Sequence, residues 1–201
     1  MSSYRKAAVF TVLVIASRFV LAAPVNYTIS SKLSRVTFSI EHQGFIESFG
    51  TLKISPGAFV FDNDDWPKSS VAVSMPTKTL DMGDGLWNKQ IRGDLNWKNL
   101  FNHPSIAFRS TRIEQMDETH GTLQGELTLA GITKPVALQL QVNKIGVNAV
   151  SERPAVGFTA TGTVKRSQFG LDAYEDLVGD DLKIQVQLEA WVGPDPDAHK
   201  N

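Results

Sequence analysis

Leu182-Lys183-Ile184-Gln185-Val186-Gln187-Leu188-Glu189-Ala190-Trp191-Val192 is the stretch that decides the fold. Leu182, Ile184, Val186, Leu188, Ala190 and Val192 fall on every second position, with Lys183, Gln185, Gln187 and Glu189 between them. Only an extended chain sends alternate side chains to opposite faces, so this period reads as a strand with one dry and one wet face. The same rhythm runs back through the chain. Val156, Phe158, Ala160, Gly162 and Val164 oppose Thr159, Thr161 and Thr163; Val136, Leu138, Leu140 and Val142 oppose Ala137, Gln139 and Gln141. Val36, Phe38 and Ile40 alternate with Arg35, Thr37, Ser39 and Glu41. Shorter runs at 45–54, 58–62, 71–77, 106–113 and 122–130 bring the expectation to roughly nine strands, or eight if one is a short bent piece.

Strands dry on one face belong to antiparallel sheets, and short turns separate them at Ser55-Pro56-Gly57, Asp62 to Asp65, Asp117 to Gly121, Ala130-Gly131 and Val178-Gly179-Asp180. Strands of about eight to twelve residues suit a closed sheet crossed at a tilt better than a sandwich. The expected architecture is therefore all-β: a single extended antiparallel barrel of about eight strands. One stretch breaks the rhythm. Leu86, Trp87, Ile91, Leu95, Trp97 and Leu100 approach helical spacing, which predicts one or two short helices within 84–102, ending before His103-Pro104.

The bulk properties exclude several classes. The chain has 201 residues, 42% hydrophobic and 20% charged, which suits one domain with a sizeable core. A formal charge of −1 offers no basic stripe for nucleic acid, and the lack of cysteine removes disulfides, thiolate metal sites and thiol nucleophiles. Arg5 and Lys6, then the apolar run from Ala7 to Ser17, then Val20-Leu21-Ala22-Ala23 have the form of an export signal cleaved after Ala22. A membrane anchor fits less well, because the run is short of the ~20 residues a bilayer span needs and Arg18 interrupts it. Removing residues 1–22 takes the basic count from 20 to 17 against 21 acids, leaving a mature charge of −4. The expected layout is a signal peptide at 1–22, the barrel at 23–193 and a polar tail at 194–201, with the product sent out of the cytoplasm.

A family resemblance enters at residues 122–190. Leu127-Thr128-Leu129-Ala130-Gly131-Ile132-Thr133-Lys134-Pro135-Val136, then Phe158-Thr159-Ala160 leading to Lys165-Arg166-Ser167-Gln168-Phe169-Gly170-Leu171, then Val178-Gly179-Asp180-Asp181 and Glu189-Ala190 closely resemble the YceI-like family. Upstream, His42 with Gly44 to Gly50, Leu80-Asp81-Met82-Gly83, Ile91-Arg92-Gly93, and Phe101 before His103-Pro104 follow in the family's order. The likeness spans Tyr27 to Val192. It implies an exported, periplasmic protein with a lipocalin-like barrel whose elongated interior binds a polyisoprenoid or a similar long-chain amphiphile such as a polyprenyl phosphate, a quinone-like lipid or a fatty amide. It also leaves open a homodimer and a transient contact with a membrane or membrane protein. Gln168, where the family often has an acid, and Asn96-Trp97, where it often has two aromatics, are departures that point to a differently shaped pocket mouth.

Nine phenylalanines remain after the signal, and Phe38, Phe108 and Phe158 lie on dry faces. With the resemblance, the expected wall also takes in Phe45, Phe49, Phe101, Phe169, Leu127, Leu138 and Ala160. Trp87, Ile91 and Trp97 come from the helical insertion, and His42, Asn88, Arg92 and Arg166 are the polar candidates for the mouth. An arginine there suits a phosphate, although a surface ion pair is its commoner use. His42, His103, His120 and His199 are too scattered for a metal site, and no cofactor is implied. There is no G-x-S-x-G elbow, so the favoured reading is a carrier without catalysis. The rivals are an enzyme using His42 and a carboxylate on such a lipid, and a filled barrel with no ligand.

Overall fold

The computed structural model describes residues 24–194; the expected signal peptide and nearly all of the expected tail lie outside them. Ten strands run in chain order: β1 Val25–Ile29, β2 Arg35–His42, β3 Ile46–Lys53, β4 Ala58–Phe61, β5 Ser70–Pro76, β6 Ser105–Gln115, β7 His120–Leu129, β8 Ile132–Val147, β9 Pro154–Lys165 and β10 Asp181–Val192. All pairings between them are antiparallel.

Ten segments make a barrel of eight staves because two staves are broken in the middle. β10 pairs along its whole length on one side with β9, but on the other side it meets two partners in turn: β2 from Lys183 to Gln187, and β1 from Ala190 to Val192. Glu189 is the pivot. Its carbonyl accepts from the Ser30 N–H at 2.9 Å, and its own N–H donates to Ser34 Oγ at 3.1 Å, so the Ser30–Ser34 turn splits β1 from β2 without orphaning the backbone. Ser55-Pro56-Gly57 splits β3 from β4 in the same way, with Gly57 O accepting from Ile29 N at 2.8 Å. β1 pairs with β4, β4 with β5, and the ring continues through β6, β7, β8, β9 and β10 back to β1. At the other end β2 and β3 take the places of β1 and β4; there the gap between β3 and β5 is bridged by paired bonds between Thr51 and Asp81 at 2.8 and 3.0 Å.

The long hairpins follow from turn chemistry. β7 and β8 join through Ala130 and Gly131, both at positive φ (49° and 78°), the two-residue turn that matches strand twist. A side chain at Gly131 would also meet the His103 ring, 2.4 Å from a Cβ built there. β8 reaches 16 residues, well past the predicted 136–142, because a bulge at Val142/Lys144 bends it and lets its pairing with β9 resume; a second bulge, at Ser110/Arg112, does the same for β6 on β7. β1 was not foreseen as a strand. The insertion folds as expected: α1 Gly85–Gly93, capped by Asp84 accepting from Trp87 N at 2.8 Å, a single 3₁₀ turn at Leu95–Trp97, and α2 Lys98–Asn102, which stops before His103-Pro104.

A candidate ligand-binding cavity

Inside the barrel the wall side chains leave a cavity of about 490 Å³, within the ~300–1,000 Å³ range of small-molecule sites. Its floor is aromatic. Tyr27 stacks on Phe59 (5.6 Å), while the Phe158 ring meets Phe59 and Phe61 edge-on at 5.7 and 5.0 Å, and Phe61 in turn meets Trp66 at 5.8 Å. Trp66 and its 3₁₀ turn (Trp66–Lys68) seal this end, the indole fully buried. Above the floor the inward positions of the strands present a shaft of aliphatic side chains, among them Val36, Ile40, Leu127, Leu138, Leu140 and Val186.

The other end is the mouth. It is framed by His42 and Gln43 at the end of β2, by Trp87, Gln90, Ile91, Asp94 and Trp97 of the helical insertion, and by Leu171, Tyr174, Leu177 and Val178 of the loop before β10. Hydrogen bonds knit these three segments together. Gln43 N donates to Leu177 O at 2.8 Å, and Tyr174 Oη donates to Asp94 Oδ2 at 2.6 Å while accepting from Asn96 Nδ2 at 3.0 Å. The Tyr174 hydroxyl holds the Asp94 carboxyl below the usual carboxylate range, and the carboxylate pushes the phenol up. His42 meets the Trp87 ring edge-on at 6.3 Å.

Arg166 anchors the loop. Its side chain is buried, and four of its five N–H donors go to main-chain carbonyls: Nε to Gly179 O at 2.8 Å, one terminal nitrogen to Leu171 O and to Ala173 O, the other to Val178 O at 2.7 Å. The guanidinium also lies 5.6 Å from the Trp97 ring centre. The expected alternatives for this residue, a surface ion pair or a phosphate clamp, are both displaced by this use, because a buried cation is cheapest where fixed carbonyl dipoles surround it.

Of the residues expected at the site, Phe38, His42, Trp87, Ile91, Trp97, Phe108, Leu127, Leu138, Phe158, Ala160 and Arg166 line the cavity. Six do not. Phe49 is 68% exposed because the parity of β3 turns Ser48, Gly50 and Leu52 inward, and Phe45 is 85% exposed at the tip of the β2–β3 turn. Asn88 ties α1 to the preceding turn, accepting from Met82 N at 2.8 Å and donating to Asp81 Oδ1 at 2.7 Å. Arg92 donates to the carbonyls of Lys78 and Leu80. Phe169 is fully buried in the core, and Phe101 packs half-buried against it. Sequence reading missed Asp94, Tyr174 and Leu177, which lie where no periodicity singles them out, and Ser48 with the floor pair Phe59 and Phe61, which their strand parity does single out.

The YceI-like domain model matches residues 27–190. The chain belongs to the YceI-like family. A UPF0312 protein of Serratia proteamaculans is 28% identical over 169 residues, covering 84% of this chain and 86% of that protein. Among solved structures, Burkholderia cenocepacia BcnA superposes with a TM-score of 0.70 at 22% identity, over 80% of this chain and 98% of that one. A polyisoprenoid binding domain from Saccharophagus degradans, implicated in plant cell wall breakdown, superposes with a TM-score of 0.60 at 9% identity, over 83% and 98%. At these identities the two structures establish the shared barrel.

Proposed function

We propose that this YceI-like barrel is an exported carrier that encloses the apolar chain of an isoprenoid or similar amphiphile and shields it from water. The observation that carries the reading is the cavity itself: an apolar shaft of about 490 Å³, sealed by aromatic rings at one end and framed by polar groups at the other. The Saccharophagus domain of the same fold, described as polyisoprenoid binding, supports it. Twelve residues of β9 span ~40 Å along the strand, hence ~30 Å along a barrel axis at the usual tilt, so an extended chain rather than a compact ring system fits the shape. Each buried methylene contributes ~0.8 kcal/mol, so chain length supplies most of the affinity.

The mouth supports a route in and out. Phe45, Leu86 and Leu95 are 85%, 73% and 80% exposed on the segments that frame it. Apolar groups so placed would let the barrel rest on a lipid surface while the cargo passes without crossing water. The test is direct: protein purified from its native source is denatured in organic solvent and the extract weighed by mass spectrometry. A stoichiometric long-chain molecule is expected. An empty extract, together with no uptake from polyprenols, quinones and fatty amides, overturns the reading.

A further inference from the structure

Among the described residues, Ser48 is the one serine of the inner wall whose hydroxyl is buried without a partner. It is 4% exposed, lines the cavity, and its Oγ has no hydrogen-bond partner. The backbone there is engaged in the β2–β3 ladder opposite Ile40. One inward step deeper stands Gly50, where a Cβ would lie 2.3 Å from the Phe38 ring and 2.7 Å from the Met82 sulfur, so the wall below Ser48 is aromatic and thioether surface. One step toward the mouth stands His42. The hydroxyl thus sits where polar mouth gives way to apolar shaft. An isolated water would find few of the two to four polar partners it needs beside Ile40 and Phe38.

Charge at the mouth limits what that group can be. Arg166, the arginine that lines the cavity, is committed to four main-chain carbonyls through all three of its nitrogens, while Arg92 lies off the cavity wall and donates Nη2 to two carbonyls. The three segments that frame the mouth (41–46, 84–98 and 171–178) carry six acids against three bases. A phosphate would meet net negative charge, and the one guanidinium of the cavity wall, Arg166, is already taken up by the main chain.

We infer that Ser48 is a specificity-determining residue that hydrogen-bonds a neutral polar head group, a hydroxyl or carbonyl, fixing the ligand with its head under the mouth and its tail on the aromatic floor. This rests on the carrier reading. The experiment compares wild type, Ser48→Ala and Ser48→Thr for binding of geranylgeraniol, geranylgeranyl phosphate and phytane, a branched hydrocarbon without a head group. Wild type is expected to bind the alcohol more tightly than the phosphate. Ser48→Ala should weaken the alcohol about fivefold to tenfold, the loss of one hydrogen bond, while leaving phytane unchanged. Ser48→Thr should restore the alcohol. An unchanged alcohol affinity in Ser48→Ala, equal losses for alcohol and phytane, or tighter binding of the phosphate each overturns the inference while leaving the carrier reading standing. Failure of wild type to bind any of the three sinks the carrier reading and this inference with it.

Discussion

Two small residues on the inner wall distinguish a hollow barrel from a filled one. Ala160, on β9 between Leu140 and Val186, faces the cavity. Gly125, on β7, faces inward under the Phe108 ring, where an added Cβ would lie 2.4 Å from Phe108 Cζ and 2.5 Å from the Arg109 carbonyl oxygen. The smaller substitution should therefore do the greater harm. Gly125→Ala forces a backbone oxygen and a packed ring apart, at ~1–3 kcal/mol, which at ~2–4 °C per kcal/mol lowers Tm by ~2–12 °C. Ala160→Phe adds a whole ring, yet the ring enters open space and gains wall contacts that the alanine lacks, so apo stability should hold or rise. The same ring takes the place of a length of ligand. Displacing about four methylenes at ~0.8 kcal/mol each removes ~3 kcal/mol of binding, a loss of at least a hundredfold in affinity.

The measurement pairs a denaturant melt of each apo variant with a fluorescence-displacement titration using a long-chain probe. An unchanged slope with a shifted midpoint identifies a true stability change. If Ala160→Phe destabilises the apo protein by more than ~1 kcal/mol, the barrel is filled at this level and the reasoning fails. Unchanged affinity with unchanged stability would place Ala160 outside the ligand's path.

Removing the Arg166 fork should destabilise strongly: Arg166→Met leaves four carbonyls without their donor, costing ~3–5 kcal/mol or ~6–20 °C in a thermal melt, and Lys will not rescue because one ammonium cannot reach the same fork of acceptors. The Tyr174–Asp94 latch is intact above the ordinary carboxylate range and is lost as pH falls through the depressed Asp94 value, so Tyr174→Phe should raise the Asp94 pKa in an NMR titration and speed ligand release at neutral pH; an unmoved Asp94 refutes the latch. Phe45→Asp with Leu86→Asp should slow transfer of bound probe to neutral phosphatidylcholine vesicles several-fold without changing affinity, and a transfer rate independent of vesicle concentration would refute docking. Export predicts a mature N-terminus at Ala23 or Pro24, checked by N-terminal sequencing of the exported product.

The barrel wall was legible because period two has only two faces, and once one face is dry its residues must point inward. That logic places Phe38, Leu138, Phe158 and Ala160 correctly, and it would also have turned Phe49 outward: Thr51 and Lys53 share its parity, and Gly50 and Leu52 take the other. Counting aromatics overrode the pattern there. β1 was invisible because Val25–Ile29 is too short to establish alternation, and its place is set by β10, more than 150 residues away in sequence. The mouth was least legible of all. The acceptors of Arg166 are carbonyls, which no residue type marks, and Tyr174 and Leu177 are positioned by chain segments that meet only after the barrel has closed.

A hollow barrel must hold itself together without the contacts that fill an ordinary core. Side chains facing empty space forfeit dispersion energy on that side, so the shaft contributes less than its burial suggests. The compensation comes from three places: an unbroken ring of ladders with no exposed edge at the closure of β1 on β10, the aromatic floor, and the buried Arg166 network. None of these touches the middle of the shaft. A ligand restores contacts where the apo protein lacks them, and it stabilises only the folded state, by RT ln(1 + [L]/Kd), or ~2.7 kcal/mol at a hundredfold excess over Kd. Much of that gain should fall on the mouth, which the ligand's head would bridge and where single hydrogen bonds such as Gln43–Leu177 and Tyr174–Asp94 join separate segments. Amide exchange therefore should slow most in 41–46, 84–98 and 171–178 on loading and least around Trp66; uniform protection along the strands would mean that the barrel, and not its mouth, is what the ligand orders.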